Sequence, residues 1–195
     1  IAAVAALALY LLNRLYAALS ETNQAIVHTR TREELLEQLC RIAVERGGLR
    51  MAWVGLLNPQ TGEVVPAARC GVAPDWFVRL APIGTQGTPR VPTELALSLG
   101  KPYICNDLLA DHRLHRIHTD LLQNGFLSGA CFLLTVEGEV AGSFTLFAAE
   151  KDFFDAERLN LLRGGGSGFD RINRHIFHAS PSLPKTARQV VGGNS

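Results

Sequence analysis

No CxxC or CxxCH pair occurs anywhere in the 195 residues, which excludes c-type haem attachment and a zinc knuckle of paired cysteines. The four cysteines, Cys40, Cys70, Cys105 and Cys131, lie roughly thirty residues apart. That spacing favours reduced thiols in a reducing compartment over a disulfide framework. The chain also lacks an excess of either charge, with Lys+Arg 19 against Asp+Glu 18. Without a basic surplus or long blocks of one sign, electrostatic capture of nucleic acid is not expected. P-loop, paired-carboxylate and Ser-His-Asp patterns are missing too, so the residues offer no enzyme signature. A run of about 18 apolar residues, as a membrane span needs, is likewise wanting.

The apolar run that does occur is "IAAVAALALYLL" (1–12), followed by Asn13 and Arg14. Twelve helical residues rise about 18 Å, roughly half a bilayer core. Residues 1–12 read as the cytoplasmic-side end of a transmembrane helix, or alternatively as an ordinary buried helix start; Arg14 suits the positive-inside rule. Leu12, Leu15, Leu19, Thr22 and Ile26 then follow 3-4-3-4 spacing. This is an a/d seam about two heptads long, so 13–30 is expected to be a signalling helix leading into the domain.

"TREE" (31–34) is a capping-box pattern with Thr31 as N-cap. Leu35, Leu36, Leu39, Ile42 and Ala43 mark one helical face, and Gly47-Gly48 ends it. "RMAWVGLLN" and "EVVPAARCG", joined by "NPQTG", predict a β-hairpin, with Pro66 requiring an edge or bulge. A short helix is expected at "PDWFVRL", a loop at "PIGTQGTPR", and a helix at 92–100 with Pro92 at N1 and Gly100 at its end. "KPYICND" (101–107) reads as a strand, "ACFLLTVEGEVAGSFTLFA" as a second hairpin, and "DAERLNLL" as a helix capped by Asp155. "RGGGSG" (163–168) interrupts that last helix, and 179–195 is expected to be a disordered tail. The order predicts an α+β fold: a central antiparallel sheet of five to six strands, N- and C-terminal helices on one face, and a flap over the other.

"LSETNQAIVHTRTREELLEQLCRIAVERGGLRMAWVGLLNPQTGEVVPAARCG", "TELALSLGKPYICNDLLAD" and "GEVAGSFTLFAAEKDFFDAERLNLL" strongly resemble, in order, three segments of bacterial GAF domains. Such domains stand beside diguanylate cyclase, phosphodiesterase and histidine-kinase modules. The resemblance implies a GAF domain over 31–178 and a flap over 107–125 that covers a small-molecule pocket. It implies a non-catalytic sensory module that relays ligand binding through flanking helices to an output domain outside this chain. Its implied setting is a homodimer joined through the N- and C-terminal helices, anchored on the cytoplasmic side of the inner membrane. Two alternatives remain open: a ligand-free dimerisation spacer, or a thiol-dependent methionine sulfoxide reductase using Cys105 and Cys131.

Trp53, Cys105, Asp107, His115, His118 and Cys131 are the candidate ligand-binding residues. Trp53 sits in a buried strand and serves either the core or a pocket wall. Asp107, between strand and helix, is either an N-cap or a polar pocket group. The stretch "HRLHRIH" (112–118) raises the question of a metal or haem site. On an α-helix its three imidazoles fan over about 120° and do not converge, which disfavours zinc. His115 and His118 could still face a pocket together, and they are the candidate haem ligands. The stretch has no cysteine, so the Cys-His pair by which phytochrome-like members hold a bilin is missing.

Overall fold

The structure is a computed structural model and describes residues 20–21, 31–72, 83–84 and 90–162. The expectations for 1–12, the heptad seam, "PDWFVRL", most of "PIGTQGTPR", "RGGGSG" and the tail fall largely or wholly outside those residues. Among the described residues no helix is long and apolar enough to cross a membrane.

Helix α1 (Arg32–Glu45) begins where Thr31 Oγ1 accepts the Glu34 N–H at 3.2 Å, satisfying one of the free amides of the first turn. It buries Leu35, Leu36, Leu39 and Cys40. Strands β1 (Met51–Leu57) and β2 (Glu63–Gly71) form the first hairpin. Val54 pairs with Ala68 but Gly55 pairs with Pro66, so Ala67 is the extra residue of a bulge beside Pro66. A proline lacking its N–H fits at that interruption of the ladder. Strand β3 (Ile83–Gly84), inside the expected loop, pairs with Glu63 and Val64.

Helix α2 (Pro92–Leu99) has proline in its first turn and closes on Gly100 at φ 61. Strand β4 (Tyr103–Cys105) follows, then a 3₁₀ turn (His112–Ile117) and α3 (His118–Gln123). Strands β5 (Ser128–Val136) and β6 (Glu139–Ala148) are joined by Glu137-Gly138, both at positive φ, as a two-residue hairpin turn of the right twist requires. Helix α4 (Ala156–Leu162) starts with Asp155 Oδ1 accepting the Arg158 N–H at 2.8 Å.

The sheet runs β3-β2-β1-β6-β5-β4 with every neighbouring pair antiparallel. Alternation along β1 sends Ala52 and Val54 to one face and Met51 and Trp53 to the other. The first face packs against Leu35, Leu36 and Leu39 of α1, with Leu159 of α4 also resting there. The second face is covered by Leu95 and Ala96 of α2, Leu114 and Ile117 of the 3₁₀ turn, Leu121 of α3, and Phe126 stacked on Phe147 at 4.7 Å.

One expectation is corrected here. The flap at 107–125 does not keep the α-helical spacing assumed for its histidines: its first turn is 3₁₀, and the His115 ring takes up a backbone carbonyl there. Asp111 Oδ1 accepts the Arg113 N–H at 3.0 Å, and His115 Nδ1 lies 2.9 Å from the His112 carbonyl oxygen. Such local bonds compete with the α-helical ladder. At three residues per turn, His112 and His115 stack on one side instead of fanning apart.

Candidate functional site

The face of the sheet opposite α1 carries a row of facing residues across four strands. Trp53 of β1 pairs with Thr145 of β6, Thr145 with Cys131 of β5, and Cys131 with Tyr103 of β4. Directly opposed residues point to the same side, so all four side chains rise from one face. All are buried.

The middle of this row is polar. Thr145 Oγ1 donates to Cys131 Sγ at 3.2 Å, and Thr93 Oγ1, from the first turn of α2, lies 3.0 Å from Thr145 Oγ1. A third hydroxyl, that of Ser143, lies close enough to favour a Cys131 thiolate but makes no hydrogen bond among the described residues. Burial outweighs these hydroxyls and pushes the Cys131 thiol up to about 11. On the α1 face burial likewise pushes Cys40 up to about 12. Both groups are therefore protonated at neutral pH and poor nucleophiles.

Cys70 and Cys105 are only half-buried. Iodoacetamide at pH 8 should accordingly label Cys70 and Cys105 in the native chain and reach Cys40 and Cys131 only after denaturation, as peptide mass mapping would read. Because both buried thiols have raised folded values, their stabilising effect is full below the unfolded value and is lost as pH rises towards 11 to 12. Native stability should thus decline above about pH 9.

A latch fixes the cover to the sheet beside β4. Tyr103 donates its hydroxyl to Asp111 Oδ2 at 2.7 Å, while Arg113 grips the same carboxylate with Nη2 at 2.6 Å and Nε at 2.9 Å. The guanidinium also sits 5.3 Å from the Tyr103 ring centre. Arg113, with help from Tyr103, holds the Asp111 carboxyl well below the usual carboxylate range. Burial, then Cys105 and Asp111, push the Tyr103 hydroxyl far up, so it stays a donor. At the far end of the cover, Arg50 Nε donates to the Asn124 carbonyl oxygen.

Of the six candidates, the structure brings Trp53 and Cys131 together under α2. Cys105 follows Tyr103 on the same face of β4, and its thiol donates to the Asp107 carbonyl at 3.2 Å. Asp107 stands apart: its carboxylate meets Lys151 Nζ at 2.6 Å, which lowers its pKa and ties the start of the cover to the segment after β6. His115 is exposed, and half-buried His118 places Nε2 at 3.2 Å from the Asp111 carbonyl oxygen. Neither is shown beside Trp53. Among the described residues no three His, Cys, Asp or Glu side chains are grouped to hold a metal ion. Sequence reasoning missed Thr93, Tyr103, Asp111, Arg113, Ser143 and Thr145. Ser143 and Thr145 had one signal, alternation within "GSFTLF", which places two hydroxyls on one face of an apolar strand.

The family model for the GAF domain matches residues 29–167, well over half of the chain. The chain belongs to the GAF domain family. Its fold is that of GAF domains solved elsewhere. The GAF domain of the Acinetobacter phosphoenolpyruvate-protein phosphotransferase is 12% identical, with a TM-score of 0.63 over 85% of this chain and 94% of that one. The GAF domain region of a putative membrane protein from Geobacter sulfurreducens is 16% identical, with a TM-score of 0.57 over 74% and 92%. The free methionine-R-sulfoxide reductase from Neisseria meningitidis, solved with its substrate, is 18% identical, with a TM-score of 0.63 over 85% and 89%. No curated protein shows significant sequence similarity. The reductase corrects the expectation of a non-catalytic module: the same fold carries catalysis in a solved relative, so neither fold nor missing motifs excludes it.

Proposed function

We propose that this GAF domain is a regulatory module that takes a small molecule against its Trp53 face and relays the change through the helices flanking the domain. The observation that carries this reading is the contrast between the two covers of the sheet. One face is closed by the 14-residue α1. The other is closed by an 8-residue helix, a 6-residue 3₁₀ turn and a 6-residue helix, held by separate polar latches. Short elements with few mutual contacts open locally more readily than a continuous helix. A ligand that binds one arrangement of this cover more tightly shifts the population towards it.

In the parent protein the output domain is a cyclase, phosphodiesterase or kinase, and the domain works as a homodimer held at the cytoplasmic side of the inner membrane. The apolar run at 1–12 and the heptad seam support that setting. The test is a thermal-shift screen of the chain against a metabolite library, with native mass spectrometry of hits and a visible absorption scan for haem. At least one metabolite should raise the melting temperature, and Trp53→Ala should abolish the shift. A dimer indifferent to every compound would support the spacer reading instead.

A second reading, thiol-dependent sulfoxide reduction, is favoured by Cys105 and Cys131 rising from one face of adjacent strands. Consumption of free methionine-R-sulfoxide with dithiothreitol as reductant, lost in both Cys105→Ser and Cys131→Ser, would establish it.

A further inference from the structure

Ser143 is fully buried, and beyond the neighbouring Cys131 thiol its hydroxyl finds no hydrogen-bond partner among the described residues. Such a group is costly and uncommon, and it calls for a partner that arrives from elsewhere. Two residues along β6 from Thr145, Ser143 rises from the same face, opposite Gly55 of β1 and Leu133 of β5. Gly55 carries no side chain, and Val64 Cγ1 and the Trp53 ring fill the space over it, 2.2 Å and 2.5 Å from where a Cβ would stand. Ser143 is therefore flanked by an indole on one side and by Cys131, Thr145 and Thr93 on the other.

The charged side chains next to Thr93 in sequence and against Tyr103 are already matched. Glu94, beside Thr93, accepts from Arg90 Nη2 at 3.1 Å, and Asp111 is gripped by Arg113. Hydroxyls both donate and accept, which suits a group that does the same and carries no charge.

We infer that Thr93, Cys131, Ser143 and Thr145 form the recognition point for an uncharged hydrogen-bonding group, of the carboxamide class, on a small molecule whose apolar body lies against Trp53. This rests on the Trp53-face reading above and names its ligand chemistry. Entry requires the incoming group to replace the Thr93–Thr145 contact, so binding frees the first turn of α2 from the sheet. A carboxylate would find Arg90 and Arg113 already paired, and an ammonium would find Glu94 and Asp111 already paired.

The test compares benzamide, benzoate and benzylamine, matched in size and differing in charge, by titration calorimetry on the full 195-residue chain. Benzamide should bind at least about ten-fold more tightly than either charged analogue, since a polar group left unmatched is rejected by such factors. Ser143→Ala should weaken benzamide by about five-fold or more and leave the melting temperature of the free chain unchanged or higher, because it removes an unsatisfied group. Ser143→Thr, which keeps the hydroxyl, should retain most of the binding. Equal binding of the three probes, or full benzamide affinity in Ser143→Ala, would overturn the inference. If Ser143→Ala does not fold, Thr145→Val decides by the same criterion. A metabolite of another class that needs Trp53 but not Ser143 would sink this subsite and leave the regulatory reading intact. Failure of every compound to bind would sink both.

Discussion

Gly142→Val should lower stability by about 3 kcal/mol or more, a large part of the ~5–15 kcal/mol that holds a domain of this kind together. Gly142 lies on β6 between β1 and β5, opposite Leu56 and Leu134. A Cβ there would stand 2.4 Å from the Gly55 carbonyl oxygen and 3.3 Å from the Leu56 Cα. These are main-chain atoms of a central strand and cannot turn aside as a side chain can, so β1 and β6 must part. Trp53 and Thr145 belong to the same pair of strands, and the row beneath α2 would be disrupted as well. Gly138→Ala is the control: that residue, unlike Gly142, has positive φ, but a Cβ there meets no atom within 4 Å. Only the backbone preference is lost there, about 1 kcal/mol. Urea midpoints followed by circular dichroism read both values, and equal losses in the two variants would refute the packing argument.

Asp111→Ala should cost about 2–3 kcal/mol, because it removes a charge-assisted contact and leaves the buried Tyr103 hydroxyl without its acceptor. Asp111 fastens the cover between β4 and α3 to Tyr103 of the sheet, and Arg113 of the same cover holds the carboxylate in place. The loss should therefore appear first as faster exchange of amides in 108–125, with β1 and β6 little affected. The pH dependence has a definite sign. The folded carboxyl is depressed, so its contribution is fully present above the unfolded value of about 3.9 and disappears as pH falls through the folded one. Between pH 7 and pH 4 the wild-type latch should hold, and acid should release it only below that window. Asp111→Ala should lack this acid-sensitive component.

Much of the scaffold was legible because its determinants are local. Thr31, Gly48 and the spacing of Leu35, Leu36 and Leu39 define α1, and Pro66 marks the bulge of the first hairpin. Glu137-Gly138 has the chemistry of a tight hairpin turn. The two residues of β3 were hidden in a stretch with no strand pattern, since only pairing with Glu63 and Val64 makes them a strand. Over "HRLHRIH" the α-helical spacing expected from the sequence gives way to a 3₁₀ turn, in which the His115 ring lies against the His112 carbonyl. At the site, Trp53 and Cys131 lie within long apolar runs, so burial was readable. Ser143 and Thr145 were not, since hydroxyls alternating with apolar residues usually mark a solvent face, and neither was Thr93, a polar residue in the first turn of a helix. Only the docking of α2 turns that face into an interior.

A rigid sheet with a locally openable cover over Trp53 has a distinct exchange signature. Native-state hydrogen exchange of the free protein, followed residue by residue in low urea, tests this most directly. Amides of α2 and of 108–125 should exchange through local openings that are nearly insensitive to urea and need well under the global free energy, while those of β1, β5 and β6 should exchange only through global unfolding. A single urea-dependent opening shared by the cover and the sheet would contradict it.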